Sequence, residues 1–146
     1  MVSEDEIKKL RETADTAREN AFVPRSGHKI GASILSSDGK YFGGCNIESN
    51  ISGLGSCAER VAIDNAISNG KYEFKTLLIL DDNLTVPCGA CLQYLLEFYT
   101  ITNQDIIIIS SDIEGNIKNY SLLELLPKGY LPHHDIEKIR CYKNKE

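Results

Sequence analysis

The sequence predicts an α/β fold, with a three-layer α/β/α arrangement around a mixed sheet of about five strands. Helix and strand patterns follow one another in the order α-β-β-α-β-α-β-β-α, which is typical of helices packed on both faces of one sheet. The length of 146 residues, with 42% hydrophobic and 25% charged residues, indicates one globular domain over 1–146.

The first predicted elements are a helix and a β-hairpin. Ser3 and Glu6 form a capping-box pattern, and the apolar residues that follow repeat at helical spacing, so a helix is predicted from residue 4 to about 19. Two short strand patterns, at 28–36 and 40–46, are separated by a Ser-Ser-Asp-Gly turn, which predicts an antiparallel hairpin.

A loop, a helix and a buried strand are predicted in the middle of the chain. Residues 47–56 contain glycines and serines, which predicts a loop whose backbone runs close to another group. Alanine and isoleucine recur with helical period over 57–69, and Gly70 is a typical C-terminal stop. The apolar run at 74–80 predicts a buried strand.

The last part of the chain is predicted to finish the sheet. Leucine periodicity predicts a helix over 88–99, and β-branched residues predict a strand over 106–110. A turn leads to a short strand at 117–120 and then to a short helix at 121–126. Strands joined through helices are expected to have parallel neighbours. The polar segment 132–146 is interpreted as a tail, either a loose helix or a subunit contact.

Charge and composition narrow the function classes. A net charge of −5 with scattered basic residues argues against nucleic-acid binding and favours a small substrate. No apolar run approaches the roughly 20 residues of a membrane span, and the acidic N-terminus does not resemble a signal peptide. The five cysteines are odd in number, so free thiols in a reducing cytoplasm are favoured over a disulfide framework.

Two cysteine motifs predict a catalytic zinc site. Cys57 is followed two residues later by Glu59, and a Pro-Cys-x-x-Cys motif supplies Cys88 and Cys91. Three protein ligands leave one position of a tetrahedral zinc open, which distinguishes a catalytic zinc from a structural one. A glutamate beside a ligand, and not needed as one, is a candidate proton carrier.

The predicted helices would bring these cysteines together and would place positive charge next to their thiolates. Cys57 and Cys88 each begin a helix, so two positive dipole ends would face the thiolates, and Arg60 is placed to hydrogen-bond a ligand sulfur. Two alternatives remain open. A fourth cysteine, Cys45 or Cys141, could close a structural site, and Glu59 could be a solvent-exposed glutamate of the first turn.

At these residues the chain resembles the zinc-dependent cytidine deaminases, the small homotetrameric kind with three cysteine ligands. The resemblance extends from about residue 14 to about residue 130, with a highly specific combination of motifs. Its markers are Ile30-Gly31-Ala32, Gly44-Cys45-Asn46-Ile47-Glu48, Cys57-Ala58-Glu59-Arg60, Pro87-Cys88-Gly89-Ala90-Cys91 with Gln93, and Leu125-Leu126-Pro127. It implies a cytoplasmic enzyme of pyrimidine salvage and a homotetramer, with a homodimer as the alternative assembly.

The resemblance also implies a mechanism and a set of substrate contacts. Zinc would activate water for attack on C4 of the cytosine ring, and Glu59 would carry protons to N3 and to the departing amine. The peptide N–H of Ala58 would position the ring, while Asn46 and Glu48 match the pair that holds the ribose hydroxyls. Tyr130 matches an aromatic residue that closes the pocket, sometimes from a neighbouring subunit.

Several positions depart from the family pattern around the substrate. His28 replaces an aromatic residue that packs on the substrate, and Ser52 replaces a second one. The remaining departures are Arg25, Ser49 and Leu92. A modified cytosine nucleoside, as in the related blasticidin S deaminases, is therefore the alternative substrate. A nucleic-acid-editing deaminase and a catalytically inactive zinc-stabilised module are the alternatives from other classes.

Overall fold

A five-stranded mixed sheet organises the chain, and the structure, a computed structural model, describes residues 1–145. The strands are β1 (Gly31–Ser36), β2 (Tyr41–Cys45), β3 (Phe74–Asp81), β4 (Ile107–Asp112) and β5 (Ile117–Ser121). The helices are α1 (Glu4–Glu19), α2 (Ala58–Ser68), α3 (Gly89–Thr102), α4 (Leu122–Leu125) and α5 (Ile136–Arg140). None of these helices is long and apolar enough to cross a lipid bilayer.

The strand order is β2-β1-β3-β4-β5. The predicted hairpin of β1 and β2 is antiparallel, and β3 and β4, which α3 connects, are parallel neighbours as expected. The strands β2 and β3, which α2 connects, run in the same direction but are not neighbours, because β1 lies antiparallel between them. At the other edge, β5 returns antiparallel to β4.

The helices form two layers, one on each face of the sheet, as the sequence predicts. Leu10 and Ala14 of α1 pack with Leu35 and Leu78 in one buried cluster. The larger cluster lies on the opposite face, where α2 and α3 cover the alternate side chains of the same strands. It is built mainly from Ala32, Ile34, Ala62, Ile63, Ala66, Leu77, Leu92, Leu95, Leu96 and Ile108.

Two consecutive glycines of β2 let the helical layers approach the sheet on both sides. A Cβ atom on Gly44 would lie 2.9 Å from Ala62 Cα and closer still to backbone atoms of α2. A Cβ atom on Gly43 would point to the other layer, 3.1 Å from Ala17 Cβ of α1. The end of β2 therefore packs directly against the first turns of α2.

Two predicted segments differ in detail from the structure. The predicted strand 28–36 begins only at Gly31, because a side chain replaces the backbone partner of the preceding residues. Asn46 Oδ1 accepts from the Ile30 N–H at 2.9 Å, and Asn46 Nδ2 donates to the His28 carbonyl at 2.9 Å. The predicted tail contains a short helix, α5, from which Arg140 Nε donates to the Thr100 carbonyl of α3 at 3.3 Å.

Candidate active site

Three cysteine sulfurs meet where α2 and α3 begin. Cys57 is the N-cap of α2, Cys88 is the N-cap of α3, and Cys91 lies in the first turn of α3. The Sγ atoms of Cys57 and Cys88 are 4.0 Å apart, and those of Cys88 and Cys91 are 3.6 Å apart. A tetrahedral zinc with Zn–S bonds of about 2.3 Å separates its sulfurs by about 3.8 Å. The spacing of the three sulfurs therefore fits zinc.

The closeness of the sulfurs also shifts the pKa values of the Cys57 and Cys91 thiols. The pKa of Cys57 is lowered to about 6, chiefly because the Cys91 thiol donates a hydrogen bond to its sulfur. The pKa of Cys91 is correspondingly raised, because its thiol keeps the proton in that bond. A divalent cation would replace the shared protons. Within residues 1–145 no fourth His, Cys, Asp or Glu joins the group, so neither Cys45 nor Cys141 closes the site.

Glu59 lies in the first turn of α2 and is buried. Its exposed fraction is 4%, so the alternative interpretation as a solvent-exposed glutamate is wrong. Burial, with a smaller contribution from the neighbouring Cys57 thiolate, raises the pKa of Glu59 to about 7. A carboxyl group with that pKa can both accept and donate a proton near neutral pH.

A cleft of about 550 Å³ opens beside the sulfur cluster and Glu59. It receives most of the residues that the sequence predicts for the site. Those that line it are Asn46, Glu48, Cys57, Ala58, Glu59, Arg60 and Cys88. The departures Arg25, Ser49 and Ser52 also line it, whereas Leu92 is buried in the core on α3.

The predicted sugar-binding pair lies at the end of β2. The Asn46 side-chain amide accepts a hydrogen bond from the Ile30 N–H and donates one to the His28 carbonyl. Glu48 Oε1 accepts from the backbone N–H groups of Arg25 and Ser26 at 3.0 and 3.1 Å. The pKa of Glu48 is lowered, chiefly by a side-chain hydrogen bond from Ser26, so this side chain is a carboxylate at neutral pH.

One wall of the cleft is a small backbone junction centred on Ile47. Its N–H donates to the Ser56 carbonyl at 3.0 Å, and its carbonyl accepts from the Ser56 N–H at 2.9 Å. On the other side, the Glu48 N–H donates to the Phe22 carbonyl at 2.8 Å. A Cβ on Gly55 would lie 2.9 Å from the Ile47 carbonyl oxygen, which confirms the close backbone approach predicted for 47–56.

His28 does not line the cleft, but its ring contacts Asp81, which does. The His28 Nε2 atom is 2.8 Å from Asp81 Oδ1, and Nδ1 is 3.6 Å from Asp82 Oδ2. Asp81 lines the cleft and is 6% exposed, and Thr85 Oγ1 donates to its other carboxylate oxygen at 3.3 Å. Sequence reasoning missed Asp81. Its position at the C-terminal end of a strand with a parallel neighbour is the signal that could have found it.

The Arg60 side chain contacts the sulfur cluster, whereas the Tyr130 side chain lies away from the cleft. Arg60 Nη2 lies 3.9 Å from Cys57 Sγ, as the sequence predicts for a residue that hydrogen-bonds a ligand sulfur. The backbone of Tyr130 is held by Gln93, which donates to its carbonyl at 2.7 Å and accepts from its N–H at 2.9 Å. The Tyr130 side chain is 68% exposed and does not line the cleft.

Comparisons with known proteins agree with this geometry. Residues 4–106 match the family model described as "Cytidine and deoxycytidylate deaminase zinc-binding region". A cytidine deaminase from Sporosarcina psychrophila is 35% identical over 127 residues, which cover 86% of this chain and 91% of that protein. The crystal structure of cytidine deaminase from Burkholderia pseudomallei aligns with a TM-score of 0.77 at 35% identity, covering 84% of this chain and 98% of that one. A blasticidin-S deaminase from Bacillus cereus is 27% identical and covers 70% of this chain and 77% of its own length.

Proposed function

This chain belongs to the cytidine and deoxycytidylate deaminase family, and on that premise we propose that it deaminates cytidine and deoxycytidine to uridine and deoxyuridine. The reaction is a hydrolysis of the C–N bond of a cyclic amidine, with release of ammonia. The observation that carries the proposal is the buried Glu59 beside three clustered cysteine sulfurs, at the wall of a cleft of about 550 Å³.

Cys57, Cys88 and Cys91 would hold the zinc ion. Bound zinc supplies Lewis acidity, which makes water an effective nucleophile near neutral pH. Three thiolates and one Zn²⁺ carry a net charge of −1, which weakens that Lewis acidity. The guanidinium of Arg60, 3.9 Å from Cys57 Sγ, and the N-terminal ends of α2 and α3 offset part of this charge.

Glu59 is the catalytic residue. Its carboxylate accepts the proton of the attacking water, and the resulting carboxylic acid donates it to N3 of the ring. The second proton of that water, released when the new hydroxyl on C4 becomes a carbonyl, passes through Glu59 to the amino group, which leaves C4 as ammonia. Its raised pKa suits both halves of this proton transfer.

The remaining cleft residues bind and orient the nucleoside. The backbone N–H of Ala58, at the start of α2, positions the cytosine ring. Asn46 and Glu48 hold the sugar hydroxyls, and their hydrogen bonds to the backbone around 25–30 keep both side chains in place. His28 affects the fit of the substrate through Asp81, whose carboxylate faces the same cleft.

The substitution Glu59→Gln tests the proposal. We expect the variant to bind one zinc ion and to lose about 10²- to 10⁴-fold in kcat, because only the proton carrier is removed. The loss of cytidine absorbance measures the rate, and atomic absorption measures the metal. The control Glu12→Gln, on the exposed face of α1, should retain full activity. An active Glu59→Gln variant would exclude Glu59 as the proton carrier.

A modified cytosine nucleoside, such as blasticidin S, is the second candidate substrate. It is favoured by the polar side chains of Arg25, Ser49 and Ser52 along the cleft. Parallel assays with cytidine, deoxycytidine, blasticidin S and free cytosine distinguish the two substrates. Higher kcat/KM for blasticidin S than for cytidine would replace the first assignment.

We further propose that the enzyme is a cytoplasmic homotetramer, with a homodimer as the alternative, that acts in pyrimidine salvage. Thiolate ligands need a reducing compartment, which supports the cytoplasm. Apolar side chains exposed near the cleft support an assembly, and they include Phe22, Ile47, Ile51, Leu54, Leu84 and Val86. Tyr130, exposed at its position after α4, is proposed to close the cleft of a neighbouring subunit. Sedimentation of the zinc-loaded protein would test the assembly.

A further inference from the structure

A second, smaller cavity lies between α2, α3 and the segment 53–56. Its volume is about 380 Å³, and Arg60, Asp64 and Tyr94 all line it. Arg60 also lines the active-site cleft, together with Gly53, Gly55 and Ser56, and it is the charged residue among the four that the two cavities share. The Arg60 guanidinium, which is next to the predicted zinc ligand Cys57, therefore lies in the same cavity as the carboxylate of Asp64 and the phenol of Tyr94.

Asp64 and Arg60 are placed to form an ion pair with each other but do not. They are four residues apart on α2, which brings Cβ atoms to about 5–6 Å and allows oppositely charged side chains to meet. Within residues 1–145 the ion pairs shorter than 4.0 Å do not include this one. The Arg60 guanidinium instead lies 3.9 Å from Cys57 Sγ.

Tyr94 binds one oxygen of the carboxylate that would compete for Arg60, and thereby sets the orientation of that carboxylate. The Tyr94 hydroxyl donates to Asp64 Oδ1 at 2.7 Å, across the gap between α3 and α2. Burial and the bond to Asp64 raise the pKa of Tyr94, so its hydroxyl remains a donor at neutral pH. The ring is fixed independently, because it packs edge-on against Phe98 with centroids 5.4 Å apart.

We propose that Tyr94 is a positioning residue for the reaction: by binding Asp64, it prevents an Arg60–Asp64 ion pair and keeps the Arg60 guanidinium on the Cys57 sulfur. The kinetic consequence rests on the proposed function, because it requires the three cysteines to hold a catalytic zinc. With Arg60 moved to Asp64, the site would regain the uncompensated charge of three thiolates.

The substitution Tyr94→Phe tests this idea, because it removes the hydroxyl and keeps the ring. We expect kcat to fall roughly tenfold with KM for cytidine unchanged, the lower end of the 10- to 100-fold cost of losing a group that hydrogen-bonds a metal ligand. We also expect the thiolate-to-cobalt charge-transfer band of the Co²⁺-substituted protein to shift, as it should in Arg60→Gln. Tyr120→Phe, a hydroxyl deletion on β5, is the matched control and should change neither quantity.

The double variant Tyr94→Phe/Asp64→Asn separates positioning from a merely structural contact. Without its negative charge, residue 64 no longer attracts Arg60, so the double variant should recover the wild-type spectrum and kcat. A double variant as impaired as Tyr94→Phe, or a Tyr94→Phe variant that matches wild type, would overturn the proposal. If the zinc protein deaminates no cytosine nucleoside, the proposed function fails, while the cobalt spectra still decide the position of Arg60.

Discussion

Replacing Gly44 by alanine is expected to displace the start of α2 and, with it, Cys57 and Glu59. Gly44 lies in β2, directly against the first turns of that helix. An added Cβ would be 2.9 Å from Ala62 Cα and closer to the Ala58 carbonyl oxygen and the Ala62 nitrogen. All three are backbone atoms, so no side-chain rotation can relieve the contact.

The size of the effect follows from this distance. Ordinary Cβ contacts begin at 3.4 Å, and the Ala62 nitrogen and the Ala58 carbonyl oxygen are the closest atoms, so α2 must move by roughly 1 Å. Overpacking of a core costs about 1–3 kcal/mol, and we expect about 3 kcal/mol here because backbone must move. A displacement approaching 1 Å in a catalytic group can cost about 10²-fold in rate, so kcat should fall by roughly 10- to 100-fold.

Gly43→Ala is the matched control, because it makes the same change one residue earlier on the opposite face of β2. Its Cβ would lie 3.1 Å from Ala17 Cβ and 3.2 Å from the Thr13 carbonyl, against α1 and away from the cysteines. We expect a cost of about 1 kcal/mol and unchanged kcat. In both variants the glycine-to-alanine change lowers the conformational entropy of the unfolded chain by the same amount. The difference between their free energies of unfolding therefore reports packing.

Urea unfolding of the zinc-loaded proteins gives the free energies, and the cytidine absorbance assay gives kcat. A Gly44→Ala protein with the unfolding free energy and kcat of Gly43→Ala would refute the claim that α2 rests directly on this strand.

Three further perturbations test the core, an acid-sensitive turn and the metal site. Leu95→Ala, which truncates a fully buried side chain between α3 and the sheet, should cost about 3 kcal/mol in urea unfolding, whereas Ile113→Ala, at a side chain 52% exposed and outside the proposed assembly surface, should cost almost nothing. The pKa of Asp112 is held below its usual range, chiefly by a hydrogen bond from Asn116. Its stabilising effect is therefore present above about pH 4 and lost as the pH falls through the folded pKa, so the difference in unfolding free energy between wild type and Asp112→Asn should shrink toward pH 2. Removing zinc with a chelator should abolish deamination and lower the melting temperature, since zinc at about 1,000 times its Kd stabilises the folded state by about 4 kcal/mol, and added zinc should restore both.

The elements with strong local signals were predictable from the sequence. The capping box formed by Ser3 and Glu6 marks the start of α1, and the structure has both of its hydrogen bonds. The cysteine cluster was predictable because each motif coincides with a helix start. The start of β1 was not, because an Asn46 side chain, distant in the sequence, replaces the strand partner of the residues before Gly31.

The parts of the site that depend on tertiary contacts could not be predicted. Nothing in the local pattern around His28 indicates that its ring binds Asp81, because the two residues meet only when the segment before β1 passes the end of β3. The bond between Tyr94 and Asp64 has the same origin, since it depends on how α2 and α3 pack. Local periodicity determines which face of a helix is buried, but not which polar side chains meet across it.

The junction centred on Ile47 has a consequence for how fast molecules can enter and leave the cleft. Phe22 and Ser56, from two different segments, are each held to the short stretch around Ile47 by two backbone hydrogen bonds. Opening this wall means breaking several backbone hydrogen bonds at once, as in a cooperative local unfolding event. Under conditions in which opening limits exchange, the amides of Ile47, Glu48 and Ser56 should exchange with solvent deuterium at one common rate, and passage that requires this wall to open can be no faster than that rate.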